Sequence, residues 1–136
     1  MEAIRYTDEL AGLTADRLVG FFGGWTNPRT PDGHLEILRG TSHVILAIDE
    51  ETRQVVGFVN ALTGEVQTAF IPLLEVLPAF RRRGIGSELM RQMLRTLASI
   101  PCVDLTCDPE LRPFYERLGM MRSVGMVGRR FAREDG

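Results

Sequence analysis

Apolar positions along this chain follow two periods, and one short turn separates the clearest example of each. From Ala69 to Leu77 nearly every residue is apolar, which predicts a strand covered on both faces and ended by Pro78. Beyond a run of arginines and glycines, apolar residues recur at helical spacing, as Leu89, Met90, Met93, Leu94 and Leu97. The pattern therefore predicts a strand, a glycine turn and an amphipathic helix in direct succession.

The other segments predict further strands and helices around this unit. Thr30 followed by Pro31 is typical of a helix start, and Gly40 of a helix end. The predicted elements in chain order are a strand at 4–6, a helical apolar face over 10–22, a helix over 31–39, paired strands at 44–48 and 55–59, the strand and helix above, a strand at 103–107, a short helix over 108–118 and a last strand at 123–130. Strands on either side of a helix predict a right-handed βαβ unit and a mixed α/β fold.

Composition narrows the class of protein. A chain of 136 residues is the size of one domain, predicted to span 1–136, and a net charge of −2 argues against a nucleic-acid binder. The start of the sequence lacks the apolar stretch of a signal peptide, and no run approaches membrane-spanning length. With Cys102 and Cys107 as its two cysteines, the chain is expected to be cytoplasmic and to bind no membrane. No cluster at ligand spacing joins His34 and His43, so a metal site is not expected.

The turn between strand and helix has the chemistry of an anion site. Its residues are Arg81, Arg82, Arg83, Gly84, Ile85, Gly86 and Ser87. Glycines let a ligand approach the backbone, while the unpaired N–H groups and dipole of the helix start favour phosphate. All sixteen basic residues are arginine, so the lysine of a P-loop is excluded. Leu89 stands where a dinucleotide fingerprint has its third glycine.

Arg81, Gly84 and Gly86, preceded by Val76-Leu77-Pro78, resemble the acetyl-CoA-binding motif of the GNAT superfamily of N-acetyltransferases. About thirty residues later, the segment 113–120 (PFYERLGM) is similar to the Phe-Tyr-x-x-Leu-Gly-Phe segment of that family. Two motifs in the family's order are more specific than either alone. The resemblance implies a three-layer fold, with a mostly antiparallel twisted sheet, one parallel strand pair and helices on both faces.

The resemblance also implies direct acetyl transfer from acetyl-CoA to a primary amine of a small molecule or peptide. Backbone N–H groups from Arg82 to Ser87 would hold the pyrophosphate. The main chain at Leu74 would polarise the thioester carbonyl, and that of Val76 would pair with the pantetheine arm. Tyr115 matches the family's proton donor to the departing thiolate, since a phenol has an ordinary pKa near 10.

Three further assignments stay open in the sequence. Glu75 in an apolar strand is a candidate base for the amine, with an ion pair to an arginine or a chain of waters as alternatives. Asp108 stands where many family members have an asparagine that contacts the cofactor arm, and an ionised aspartate cannot donate that hydrogen bond. Trp25 and Arg29, in the loop before the second helix, are candidates for the acceptor site or for ordinary loop anchoring.

Two other functions are compatible with the motifs. The first is transfer of a longer acyl group, and the second is a non-catalytic acyl-CoA-binding or regulatory domain. Tyr115 separates the second from an enzyme, because a binder needs no proton donor near the sulfur. Dimerisation is common in the family, so a homodimer is compatible with the resemblance, although no residue demonstrates it.

Overall fold

Across residues 3–130, which the computed structural model describes, six strands form one twisted sheet. The strands are β1 (Ile4–Thr7), β2 (His43–Asp49), β3 (Val55–Thr63), β4 (Thr68–Phe70), β5 (Leu74–Val76) and β6 (Cys102–Asp104). The helices are α1 (Pro31–Arg39), α2 (Ile85–Thr96) and α3 (Arg112–Glu116), with 3-10 turns at Ala15–Arg17, Pro78–Phe80 and Pro109–Leu111. The strand order is β1-β2-β3-β4-β6, and β5 also pairs with β3.

The sheet separates two apolar layers, which confirms the predicted three-layer mixed α/β fold. One layer joins the sheet to α2 through buried residues such as Leu89, Met90 and Met93. The other joins it to α1 and the segment before it through residues such as Leu18, Leu38 and Phe58. All strand pairs are antiparallel except β4 with β6, which is parallel. The chain crosses from β5 to β6 through α2, as predicted for the βαβ unit.

The helix boundaries follow the capping signals closely. The Thr30 hydroxyl accepts a hydrogen bond from the Gly33 N–H at 3.0 Å, Pro31 is the first residue of α1, and Gly40 caps its end. At the start of α2, Gly57 of β3 lies beneath the helix, where a Cβ would come within 3.1 Å of Leu89 and 3.3 Å of Ile85. A Cβ at position 57 would be crowded, so glycine allows α2 to pack close to the sheet.

The predicted strand at 69–77 is wrong as a single element, since it is broken into β4 and β5. Ile71 to Leu73 lie outside both strands, and the break faces Asn60 in the middle of β3. Asn60 accepts a hydrogen bond from the Leu73 N–H on its side-chain Oδ1 at 3.0 Å, and its own N–H donates to the Leu73 carbonyl at 3.2 Å. A side-chain oxygen thus replaces a main-chain acceptor where the ladder is interrupted.

The predicted helix over 10–22 is also wrong, because this segment holds a single 3-10 turn at Ala15–Arg17. Gly12 has φ = 80°, Gly20 has φ = 103° and Phe22 has φ = 66°, whereas an α-helix needs φ near −63°. Leu13, Leu18 and Phe21 are nevertheless buried. The apolar spacing correctly indicated that these residues are buried, but it wrongly predicted a helix.

The end of the described chain departs from prediction as well. The strand at 103–107 is shorter, as β6, and the helix over 108–118 is a 3-10 turn followed by α3. Residues 123–130 form no strand, and Val124 and Met126 are 92% and 93% exposed. A groove of about 940 Å³ lies between this segment and the β6–α3 region. Gly125 and Gly128 weaken the strand tendency of this segment, since glycine brings no side chain to pack.

Asn60→Ala should lower the free energy of unfolding by about 1–3 kcal/mol, because it leaves the half-buried Leu73 N–H without an acceptor. Urea denaturation at neutral pH measures the change. Asn27→Ala, in an exposed loop, is the matched control and should stay within about 0.5 kcal/mol of the parent. Equal stability of the two variants would contradict a supporting role for Asn60.

Candidate active site

On its side away from β3, the main-chain edge of β5 pairs with no other strand among residues 3–130. Before the interruption at residues 71–73, β4 pairs with β6. The last hydrogen bond of this ladder runs from the Ile71 N–H to the Asp104 carbonyl at 2.9 Å. Beyond it, β5 pairs with β3 in a register that places Glu75 opposite Phe58. The hydrogen bond from the Leu77 N–H to the Val56 carbonyl shows which residues of β5 direct their main-chain groups towards β3.

The consequence concerns the two residues that flank Glu75. In an antiparallel ladder hydrogen-bonded residues alternate, so the main-chain groups of Leu74 and Val76 face away from β3. Because side chains also alternate, Leu74 and Val76 pack against the α2 layer, while Glu75 lies on the other face of the sheet. β5 therefore offers an open strand edge that leads towards the start of α2.

The helix at the end of this edge opens without a side-chain cap in the described chain. Gly84 is its N-cap, with φ = 81°, and the Glu88 N–H donates to the Gly84 carbonyl at 3.0 Å. Arg82, just before it, also has a left-handed φ of 65°. Ile85 is buried against Gly57, whereas Gly86 and Ser87 are half-buried in the first turn. The N–H groups of a first helical turn have no partner within the helix and suit an anion, so this turn is a candidate anion site.

The three arginines before the helix have different contacts. The Arg81 Nε donates to the Val76 carbonyl at 2.8 Å, so this side chain braces β5 from its open side. The Arg83 guanidinium lies 5.3 Å from the ring centre of Phe80, a cation–π distance. All three residues are exposed, and their positive charge surrounds the glycine turn.

Tyr115 on α3 is brought to the same end of the molecule. Its neighbour Phe114 packs beside the α2 start, since a Cβ on Gly86 would lie 3.7 Å from the Phe114 ring and 3.8 Å from Val76. Tyr115 is half-buried and meets Phe114 edge to face, with 4.9 Å between the ring centres. Burial, and then the nearby Cys107, raise the pKa of Tyr115 to about 12. The phenol is thus protonated at neutral pH and able to donate.

Asp108 and Cys107 lie on the exposed approach to α3. Asp108 begins the turn Pro109–Leu111, and its carbonyl accepts from the Leu111 N–H at 2.9 Å. Its side chain does not cap that turn. Cys107 is a free, exposed thiol.

Glu75 meets a loop that is distant in sequence. Both carboxylate oxygens accept from the Phe22 N–H, at 3.2 Å and 3.1 Å. Burial raises the pKa of Glu75, while the Phe22 N–H and the charge of Arg81 act in the opposite direction. Phe22 has the left-handed φ of 66°, which costs a residue with a Cβ about 1–2 kcal/mol. A charge-assisted hydrogen bond offsets that cost.

Trp25 and Arg29 belong to the same loop, which spans residues 20–29. Trp25 is 47% exposed, and its ring meets Phe22 edge to face at 5.0 Å. The main-chain N–H of Trp25 donates to the Phe22 carbonyl at 3.2 Å. Arg29 pairs with Glu36 of α1 at 3.7 Å, and both of these side chains are largely exposed. The loop therefore presents one exposed aromatic face, whereas the Arg29 charge is shared with α1.

A buried histidine lies behind this loop. His34 of α1 is fully buried, and neither ring nitrogen has a hydrogen-bond partner in the described chain. The rings of Phe21, Phe22 and Phe58 surround it, with centre distances of 5.2, 4.9 and 4.4 Å. Burial lowers the pKa of His34 to about 4, so the imidazole is neutral at neutral pH.

The sequence reasoning missed Asn60, Phe22 and His34 as contributors to the site. Asn60 was visible as a polar residue inside an apolar strand, and Gly57 as a glycine inside a strand, which signals close backbone approach. The left-handed Phe22 carries no sequence signal. Within residues 3–130 no group of three or more His, Cys, Asp or Glu side chains is placed to hold a metal ion.

Comparisons with known proteins agree on one family. The profile of the Acetyltransferase (GNAT) family matches residues 10–120. GCN5-related N-acetyltransferase 1, chloroplastic, from Arabidopsis thaliana is 29% identical over 135 residues, which cover 96% of this chain and 68% of that protein. The uncharacterized N-acetyltransferase ycf52 of Porphyra purpurea is 26% identical over 104 residues, covering 73% of this chain and 59% of that one. The chain thus spans about two thirds or less of these two relatives.

Solved structures agree with the same grouping. A crystal structure of a proposed acetyltransferase from Deinococcus radiodurans superimposes with a TM-score of 0.90 at 46% identity, covering 93% of this chain and 88% of that one. The name of the Arabidopsis relative places that protein in the chloroplast, so the cytoplasmic expectation for this chain stays a prediction. No helix in the described part of the chain combines the length and apolarity needed to span a bilayer.

The stability of the fold should fall as the pH is lowered from about 6.5 to 4, because the unfolded state then binds a proton that buried His34 does not. The shift from 6.5 to about 4 corresponds to roughly 3 kcal/mol. Urea denaturation at pH 7.5 and pH 4.5 should show that His34→Leu loses most of this dependence. His43→Leu, at the chain's other histidine, is the matched control and should keep it. An equal fall in both variants would contradict the assignment.

Proposed function

Because the chain belongs to the Acetyltransferase (GNAT) family, a family of acyltransferases, we propose that it moves an acetyl group from acetyl-CoA to a primary amine of a small molecule or peptide. The observation that carries the proposal is the open main-chain edge of β5 leading directly into the uncapped, glycine-opened start of α2. One linear cofactor fits both features, since its pantetheine arm has amides for a strand edge and its pyrophosphate has charge for a helix start.

The pyrophosphate would bind to the N–H groups from Arg82 to Ser87. The left-handed Gly84 turns the chain so that these groups are presented together, and no Cβ at Gly84 or Gly86 stands over them. Arg81, Arg82 and Arg83 supply the compensating positive charge. Ile85 is buried and fixes the turn on the sheet rather than touching the ligand with its side chain.

The thioester would lie against β5. The main-chain groups of Leu74 and Val76 are free of β3, so Leu74 is placed to donate to the thioester carbonyl and Val76 to pair with the arm. The Val76 carbonyl already accepts from Arg81, which leaves its N–H for the cofactor. Asp108, exposed beside Cys107, is a candidate for the far side of the arm as an acceptor only.

Transfer requires a proton for the thiolate of CoA and removal of one from the amine. Tyr115 would supply the first, because its phenol, with a pKa raised to about 12, is protonated at neutral pH and can donate to the sulfur. The amine attacks the carbonyl carbon, the C–S bond breaks, and the nitrogen loses its proton to Glu75 or to a chain of waters. Trp25 would form one wall for the acceptor and Arg29 would add charge at its margin.

Gly84→Glu should weaken acetyl-CoA binding by about tenfold or more, because a carboxylate would then stand at the pyrophosphate site. Calorimetric titration of the purified protein measures the affinity. Gly12→Glu is the matched control, since Gly12 has nearly the same left-handed φ, 80° against 81°, and open space around its Cβ. It carries the same backbone cost and added charge, and should bind like the parent.

Equal binding by the folded Gly84 variant and its control would overturn the pyrophosphate site. Absence of acetyl-CoA binding by the parent protein itself would overturn the proposed cofactor. Titration with longer acyl-CoA thioesters in the same instrument compares the rival acyl donors directly.

Tyr115→Phe should lower turnover on an accepted amine by roughly a hundredfold, the effect typical of losing a general acid, with little change in acetyl-CoA affinity. Thiol release measures turnover, and titration measures affinity. Tyr6→Phe, at the chain's other tyrosine, is the control and should leave both unchanged. Unchanged turnover in Tyr115→Phe would refute the general-acid role.

A further inference from the structure

The contact between Glu75 and Phe22 links the two sides of the site. Glu75 lies in β5, between the two residues whose main chain faces away from β3, and Phe22 lies in the 20–29 loop. Both carboxylate oxygens are within 3.2 Å of the Phe22 N–H, across 53 positions in sequence. The carboxylate of Glu75 in β5 is therefore hydrogen-bonded directly to the backbone of the 20–29 loop, which carries Trp25.

The loop needs such a contact at this residue. Phe22 adopts a left-handed φ of 66° that glycine would adopt freely and phenylalanine does not. In that conformation its N–H points to β5, its ring enters the aromatic cluster around His34, and its carbonyl accepts from the Trp25 N–H. Removing the acceptor at Glu75 would leave the Phe22 N–H half-buried without a partner.

A second contact holds the loop against the same strand. Gly20 lies so close to the end of β5 that a Cβ there would come within 3.2 Å of Leu77. Trp25, with its ring on Phe22 at 5.0 Å, follows the position of Phe22. The exposed face of Trp25 is thus placed relative to β5 by one carboxylate and one tight packing contact.

We propose that Glu75 is a positioning residue that fastens the 20–29 loop, through the Phe22 N–H, to the strand that carries the thioester. Its carboxylate sets the distance between the acceptor wall and the acetyl group, and water removes the proton of the amine. As a statement about the acceptor, this rests on the proposed acetyl transfer; as a statement about the loop, it stands on the geometry alone.

Trp25 gives a direct test, because it is the only tryptophan in the sequence. Glu75→Gln keeps an oxygen that accepts from the Phe22 N–H, whereas Glu75→Leu removes it at similar size. We expect the emission spectrum and acrylamide quenching of Trp25 to be unchanged in Glu75→Gln, and the emission to shift to the red with stronger quenching in Glu75→Leu. Glu88→Leu removes a half-buried carboxylate from α2 and should leave Trp25 unchanged.

Kinetics separate positioning from base catalysis. Glu75→Gln should retain kcat within about threefold and keep the acidic limb of its pH profile, whereas a lost general base typically costs 10²-fold or more. Glu75→Leu should raise KM for the amine by about tenfold while the affinity for acetyl-CoA stays the same. The amide variant would thus rescue what the apolar variant loses.

Three results would overturn the proposal. A hundredfold loss of kcat in Glu75→Gln with normal Trp25 emission would identify Glu75 as the base. Unchanged emission in folded Glu75→Leu would remove the anchoring role. A shifted emission with an unchanged KM for the amine would show that the loop does not form the acceptor wall. The fluorescence arms need neither acceptor nor cofactor, so a failure of the proposed function would be seen separately, as absence of acetyl-CoA binding.

Discussion

The break in the ladder opposite Asn60 is the constraint on which the rest of this structure depends. β3 supports two short strands in succession, and only the first of them, β4, is bonded to β6. A continuous strand would have kept β6 alongside and closed the sheet at this point. Because the strand is interrupted at Ile71–Leu73, the edge of β5 away from β3 has no strand partner in the described chain, while its other edge stays fixed on β3. The Asn60 side chain makes this break stable, since it supplies the acceptor that the Leu73 N–H would otherwise lack.

The free edge of β5 matters for the proposed site because the next helix, α2, begins at the end of that edge. Gly57 removes a side chain from beneath α2, so the helix packs close to β3 and its first turn meets the end of β5. Gly84 in the left-handed conformation lets the chain enter that helix within a short turn. Arg81 reaches back to the Val76 carbonyl and holds turn and strand together. The proposed main-chain site for a long anionic thioester therefore depends on two glycines and one side-chain brace.

What the sequence predicted well depends on local chemistry. The start and end of α1, the course of α2 and the β2–β3 hairpin follow from caps, turns and periodicity, which act over a few residues. The glycine turn at 81–87 before α2 was located for the same reason, and its role as an anion site stays a prediction. The helix expected over 10–22 failed because its glycines and Phe22 adopt left-handed conformations that apolar spacing does not reveal. The prediction of a strand at 123–130 was wrong because a strand needs a partner strand. The apolar pattern indicates which residues could be buried, but not which strand they would pair with.

The two walls of the proposed site therefore differ in how the sequence encodes them. The cofactor wall uses main-chain groups, and its specificity lies in a few glycines and arginines at fixed spacing, so a short motif describes it. The opposite wall uses side chains held by contacts between distant residues, such as Glu75 with Phe22 across 53 positions. Such contacts leave no periodic signal, and under the proposed anchoring a substitution at either partner would move Trp25 without altering any motif. Chains with the same cofactor turn can thus present different acceptor walls, since the residues that set the second wall are free to change independently of the first.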